Sequence, residues 1–164
     1  MRVWRICSER FADSAFTGEG AYENGGRWNP PGFYVVYTSG SLALAALEFF
    51  VNLEAGAAGM PLVAISAEIP EAVTLKTMRP EALPDGWRAY PSSPSVHAAG
   101  VGWIAGGESA VLSVPSAVIP GERNYLLNPG HPQFRRIVIH KPEPFAPVAS
   151  VAPATRLPDS FESN

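Results

Sequence analysis

The chain has 164 residues, of which 46 % are hydrophobic and 16 % charged. A charged share below the roughly 25 % of ordinary globular domains excludes an intrinsically disordered chain. A net charge of −3 without any polybasic run argues against a direct nucleic-acid partner.

In chain order, Arg2–Cys7 reads as a strand. Its Cys7 is the lone cysteine, so no intrachain disulfide can form, as expected of a reducing compartment. The opening residues carry no apolar signal core and no membrane-spanning run follows, so the expectation is a soluble cytoplasmic protein. A loop is expected from Thr17 to Gly26, then Gly25-Gly26-Arg27-Trp28-Asn29-Pro30-Pro31-Gly32. Phe33–Tyr37, aromatic and β-branched, reads as the next strand. Thr38-Ser39-Gly40-Ser41 offers N-cap residues for a helix running to about Glu54, closed by Gly56 and Gly59. Strands are expected at Pro61–Ile69, Glu71–Leu75, Ala110–Pro115 and Arg136–His140. Leu83–Ala89 reads as a turn, Ser95–Trp103 as a second helix, and Asn124–Asn128 as the lead into the Pro129–Pro132 turn. Residues 1–141 then form one sheet-dominated α+β domain with two helices. Residues 142–164, rich in Pro, Ala and Ser, read as an extended, partly disordered tail.

The helix SLALAALEFFVNLE raises the chemical question. Leu42, Ala46, Phe49, Phe50 and Leu53 form a core-facing stripe, and Leu44, Ala45 and Leu47 make the other sides apolar too. Such a helix is expected to be buried nearly all round. A carboxylate within it, Glu48, is costly unless it is paired, hydrogen-bonded or facing a cleft. Taken alone, an ion pair with an arginine is the ordinary explanation. A catalytic carboxylate is the other.

Arg27, delivered by a glycine-flanked loop, suits a phosphate or carboxylate fork, or a plain surface position equally well. Arg5 between Trp4 and Ile6 could turn inward, but an outward strand position is favoured. Tyr37 could stack on a flat heterocycle, although a core tyrosine is the simpler reading. Ser116, after Pro115 at a strand end, suits binding or orienting better than nucleophilic attack, since no histidine accompanies it. Asn124 and Asn128 flank Tyr125-Leu126-Leu127. Backbone bonding is the ordinary reading for both, with Asn124 also a candidate for substrate binding. His97, His131 and His140 are scattered and lack metal-ligand spacing. Low charge and many apolar residues are compatible with a protein partner or a homo-oligomer.

Gly25-Gly26-Arg27-Trp28-Asn29, Tyr37-Thr38, Ala46-Leu47-Glu48, Val114-Pro115-Ser116 and Asn124–Pro129 together resemble the RES domain, named for its Arg, Glu and Ser. Leu83–Arg88 and Gly107–Ala110 add to the likeness, which covers about residues 2 to 140. The resemblance implies an ADP-ribosyltransferase-like fold and a toxin of a bacterial toxin–antitoxin pair. It implies consumption of NAD as substrate, by hydrolysis or phosphorolysis, or in some members ADP-ribosylation of a protein. It implies an Xre-type helix-turn-helix antitoxin as partner, no metal and no further cofactor. It also implies a site of Arg27, Tyr37, Glu48 and Ser116.

The residues suit that chemistry. Breaking the nicotinamide–ribose bond develops positive charge on the ribose, and a carboxylate beside it stabilises that charge. Glu48 would do so, Arg27 would hold the pyrophosphate, Tyr37 would stack on the nicotinamide or fix its orientation, and Ser116 would hydrogen-bond the ribose or amide. Arg27 is also a candidate ion-pair partner for Glu48 when no ligand is bound.

Overall fold

A computed structural model of the protein describes residues 1–52 and 60–146. Eight strands form one sheet: β1 (Arg2–Ser8), β2 (Val36–Ser39), β3 (Leu62–Glu68), β4 (Leu75–Thr77), β5 (Val111–Pro115), β6 (Arg123–Leu127), β7 (Val138–Ile139) and β8 (Glu143–Phe145). The spatial order is β4-β5-β6-β2-β1-β3-β7, with β8 pairing β3. Every pairing is antiparallel except β4 with β5. Among the described residues three helices accompany the sheet: α1 (Glu19–Asn24), α2 (Leu42–Val51) and α3 (Pro94–Gly106). The α+β, sheet-dominated reading therefore stands, with three helices in place of two.

The differences in detail have local causes. The expected loop from Thr17 contains α1, whose last turn ends where the Gly25 amide bonds the Ala21 carbonyl at 2.9 Å. The strand expected at Phe33 begins only at Val36, because Val36 is the first residue with a partner, Leu127. Beyond Leu127 the β6 chain turns away at Asn128, whose Oδ1 accepts from the Gly130 amide at 3.0 Å. The short strand expected before Leu75 lies instead at Leu75–Thr77, where β5 offers parallel partners. Arg136 falls in a 3-10 turn rather than in a strand. Pairing of Glu143–Phe145 with β3 carries the sheet past Pro142, into the start of the expected tail. The glycines expected to close α2, and Leu53, lie outside the described residues.

Directly paired residues share a face of the sheet. One row across four strands reads Trp4, Ser39, Asn124, Val114. The next row on that face carries Tyr37, Leu126 and Leu112. The opposite face is mainly apolar, with Val3, Val36, Ile65, Val111 and Leu127 under Phe16 and Ile137, and it also carries Arg5 and the buried polar residues Thr38 and Ser113. On the first face two separate clusters form. Helix α2 covers Ile6 and Ala64, joined by Trp4 and Phe49. Helix α3, with Val96 and Trp103, covers Leu112, Val114 and Leu126 together with Trp28. A seam is left between the two covers, along β2 and the start of β6.

Helix α2 starts at Ser41, whose Oγ accepts from the Leu44 amide at 3.1 Å. Only Leu44 and Ala45 are fully buried on it, while Leu47, Phe50 and Val51 are exposed. The expectation of burial all round is thus corrected. One layer of sheet lies beneath the helix and nothing among the described residues lies above it. No helix among the described residues is long and apolar enough to cross a membrane.

Candidate active site

The seam is polar because the middle of the Trp4–Ser39–Asn124–Val114 row is polar. Glu48 reaches it from α2, one turn after Leu44 and Ala45, and is half-buried there. Its Oε1 accepts from Ser116 Oγ at 2.8 Å and from Asn124 Nδ2 at 2.5 Å. Asn124 is oriented by Ser39, whose Oγ donates to Asn124 Oδ1 at 2.8 Å. A carboxylate only accepts, so the amide nitrogen must face Glu48, and the network fixes the side chain's flip. Ser116 is buried at the end of β5, and its Oγ accepts from the amides of Val118 and Ile119 at 3.1 and 3.0 Å. With those two donors in place its own proton is directed at Glu48. Hydrogen bonds to a charged group are worth about 1.5–3 kcal/mol each. Oε2 of Glu48 has no hydrogen-bond partner among the described residues, so one carboxylate oxygen is held and the other is available.

Arg27 sits at the tip of a tight turn. The Gly26 amide bonds the Asn29 carbonyl at 2.8 Å and the Asn29 amide returns to Gly26 at 3.3 Å. Trp28 turns inward and is buried. The backbone carbonyl of Trp28 lies so close to Gly100 of α3 that a Cβ there would collide with it, so glycine is what lets helix and turn meet. Arg27 turns the other way, and its Nη1 donates to the carbonyls of Trp87 and Ala89, both at 2.9 Å. The ion pair with Glu48 that the sequence left open is not formed. Among the described residues the ion pairs are Arg2–Glu68 and Lys76–Glu108.

Tyr37 connects the two parts. Its hydroxyl donates to Asn29 Oδ1 at 2.6 Å and accepts from the Trp28 amide at 3.1 Å. Burial pushes its pKa well above the ordinary value, against the opposing pull of the Trp28 amide. The hydroxyl is thus committed to the Arg27 turn. Asn29, fully buried, completes that turn by donating to the carbonyls of Ala21 and Pro30.

Arg5 corrects the expectation of an outward side chain. Its Nη1 donates to the Tyr37 carbonyl at 2.9 Å, while its Nε is enclosed without a partner among the described residues. Burial lowers its pKa. The β1–β2 ladder has a single register pair, Trp4 with Ser39, and Arg5 bridges the strands just beyond it. Two open depressions, one lined by Glu71, Thr74, Lys76 and Glu108 and one by Ser8, Arg10 and Met60, lie away from Glu48.

The structure therefore gathers Glu48, Ser116 and Asn124 in one cluster and Arg27 with Tyr37 in another, joined along β2. Asn128 stays in its turn, as its ordinary reading has it. Ser39 and Asn29 were not singled out from the sequence. Ser39 reads as one of several cap residues and Asn29 as the last residue of the Gly25–Asn29 motif; the role of Ser39 depends on strand register and that of Asn29 on the fold of its turn.

A sheet split by a polar seam, with a half-buried carboxylate and an arginine turn along it, defines a small sheet-based enzyme-type domain. The RES domain model matches residues 2–149, and the chain belongs to that family. It is 38 % identical over 144 residues to a Prs ADP-ribosylating toxin of a Sphingobium species, covering 84 % of this chain and 88 % of that one. It is 33 % identical to a Toxin Res of Yersinia enterocolitica, covering 82 % and 88 %. Among solved structures, the crystal structure of the M. tuberculosis MbcT–MbcA toxin–antitoxin complex shares the fold. The TM-score is 0.71 at 19 % identity, over 88 % of this chain and 83 % of that one. The curated relatives it matches are toxins.

Proposed function

We propose that this protein is the toxin of a toxin–antitoxin pair and that it consumes NAD by breaking the nicotinamide–ribose bond. The observation that carries this reading is the Glu48 carboxylate, with Oε1 fixed by Ser116 and Asn124 and Oε2 left for a ligand. In the reaction nicotinamide departs as a neutral base with the bonding electrons. Positive charge develops on the ribose, and water or phosphate then bonds the anomeric carbon and releases a proton to solvent. Oε2 would accept from a ribose hydroxyl and face the developing charge. Because its partner oxygen is already hydrogen-bonded, the carboxylate needs no reorganisation as the charge appears. Arg27 would meet the pyrophosphate with Nε and Nη2 while Nη1 stays on its loop. Tyr37, its hydroxyl already used, would act through its ring and through the turn that it supports. NAD is a substrate here and not a resident cofactor.

A second reading is transfer of ADP-ribose to a protein. It is favoured by the relative named for ADP-ribosylating Prs, at 38 % identity. The partner, on the model of the mycobacterial complex, would be an antitoxin protein, expected from the family resemblance to be of Xre helix-turn-helix type. Action would be cytoplasmic, where the NAD pool lies. The test is nicotinamide release by purified protein with and without phosphate, using NAD labelled in the adenosine half. Free ADP-ribose means hydrolysis, its phosphate means phosphorolysis, and label on a protein means transfer. Absence of all three, with wild type and Glu48→Gln equally inert, would sink the enzymatic reading.

A further inference from the structure

The segment Leu83–Arg88 enters the proposed function only as a support of Arg27 Nη1, yet it touches both ends of the site. Residues 84–89 fold as two overlapping turns, with the Trp87 amide on the Pro84 carbonyl at 3.1 Å and the Ala89 amide on the Gly86 carbonyl at 2.8 Å. The carbonyls of Trp87 and Ala89 are the two acceptors of Arg27 Nη1. Between them, Arg88 points elsewhere. Its Nε and Nη2 both donate to the Ala117 carbonyl, at 3.2 and 3.0 Å. Ala117 follows Ser116, the residue that donates to Glu48.

The loop has few other anchors. Trp87 packs obliquely on Trp28 with ring centroids 6.3 Å apart and Leu83 packs on the same cluster, whereas Asp85, Gly86, Arg88, Ala89 and Tyr90 are exposed. Without the Arg88 fork, the two carbonyls would be held by the turn's own hydrogen bonds, by the packing of Leu83 and Trp87 and by Arg27 itself. We infer that Arg88 is a positioning residue: by tying the 84–89 loop to Ala117 it sets where Arg27 stands relative to Glu48. This inference rests on the reading of Arg27 as the holder of the NAD pyrophosphate. A guanidinium fork on one carbonyl resists sliding in a way that a single donor does not. Loss of the fork would let Arg27 drift with its loop. Substrate and transition state would then be held less well by similar amounts, which raises KM and leaves kcat nearly unchanged.

The test is Arg88→Met, alone and with Arg27→Ala, assayed by nicotinamide release. Hydrogen exchange of the Trp87 and Ala89 amides is followed in the same proteins without ligand. The single variant should raise KM for NAD about tenfold with kcat within about threefold. In the Arg27→Ala background the same change should add less than about twofold, since residues acting as one unit are not additive. The two amides should exchange about tenfold faster in Arg88→Met. An unchanged KM, a fall in kcat at constant KM, or an additive penalty in the double variant overturns the inference. Should the wild type release no nicotinamide, the proposed reaction fails on its own. Exchange then decides the tether alone: faster exchange in Arg88→Met sustains it, and unchanged protection overturns it.

Discussion

Glu48 is held by side chains rooted in regular structure, one on β6 and one at the end of β5. Arg27 is held by backbone carbonyls of a loop, and its own turn is steadied by a tyrosine hydroxyl from β2. The first arrangement is stiff, because strands position the donors and a helix positions the acceptor. The second depends on loops that lean on the core through Trp28, Leu83 and Trp87. A carboxylate that must meet charge as it develops gains from rigidity. A guanidinium that binds a long, flexible pyrophosphate can be carried on loops, at the cost of needing them tied down.

The comparison breaks most readily at Glu48. Glu48→Gln should lower nicotinamide release by about 10²- to 10³-fold, the usual loss for a preorganised electrostatic group. Because Gln is isosteric and the site half-exposed, the thermal midpoint should move little. Equal loss of folding and activity in calorimetry would make Glu48 structural instead. Next in size, Arg27→Ala should raise KM for NAD by about 10- to 100-fold with a smaller effect on kcat, the reverse of the Glu48 pattern. Steady-state kinetics on the two variants therefore test whether the regions divide the work as their construction implies.

A smaller effect is expected from Gly26→Ala. A Cβ there would lie 2.5 Å from the Tyr37 hydroxyl, so the ring or the turn must shift. Overpacking of this kind costs about 1–3 kcal/mol, to be read as a lower denaturation midpoint. The KM should rise while the Glu48 cluster, on the other side of the seam, is spared. The smallest effect concerns pH. Burial raises the Tyr37 pKa in the folded chain above its unfolded value. The stability linked to this group is therefore fully present below about pH 10, the ordinary tyrosine value, and is lost as the pH rises above it. Ultraviolet titration of Tyr37→Phe against wild type should show one late-ionising tyrosine missing. If that tyrosine titrates with the exposed ones, the turn is looser than its hydrogen bonds indicate.

Much of this could be read in the residues. Alternation and β-branching placed the long strands β1, β3 and β5, and Ser41 capped α2 where cap chemistry puts it. An acid in a greasy helix pointed to Glu48, and Ser116 after Pro115 pointed to a strand end facing a cleft. The short elements were harder. Helix α1 and strand β8 have too few residues for a period to emerge, and β8 depends on a partner, β3, far along the chain. Burial of α2 was overestimated because apolar content does not tell how many layers cover a helix. Leu47, Phe50 and Val51 are exposed although their sequence reads as core.

The sequence by itself determined the class of fold and the likeness to the RES domain, and it singled out Glu48 and Arg27 as candidates, since side-chain type and local order are written in the chain. Only the tertiary structure decided that Ser39 and Asn124 stand side by side, that Asn124 and Ser116 share one oxygen of Glu48, and that Arg27 leans on the 84–89 loop rather than on Glu48. Those facts follow from strand register and from which loop meets which. Register is set by pairings between residues more than eighty positions apart, such as Ser39 with Asn124. No local pattern encodes a contact of that range, because it forms only when the whole sheet closes.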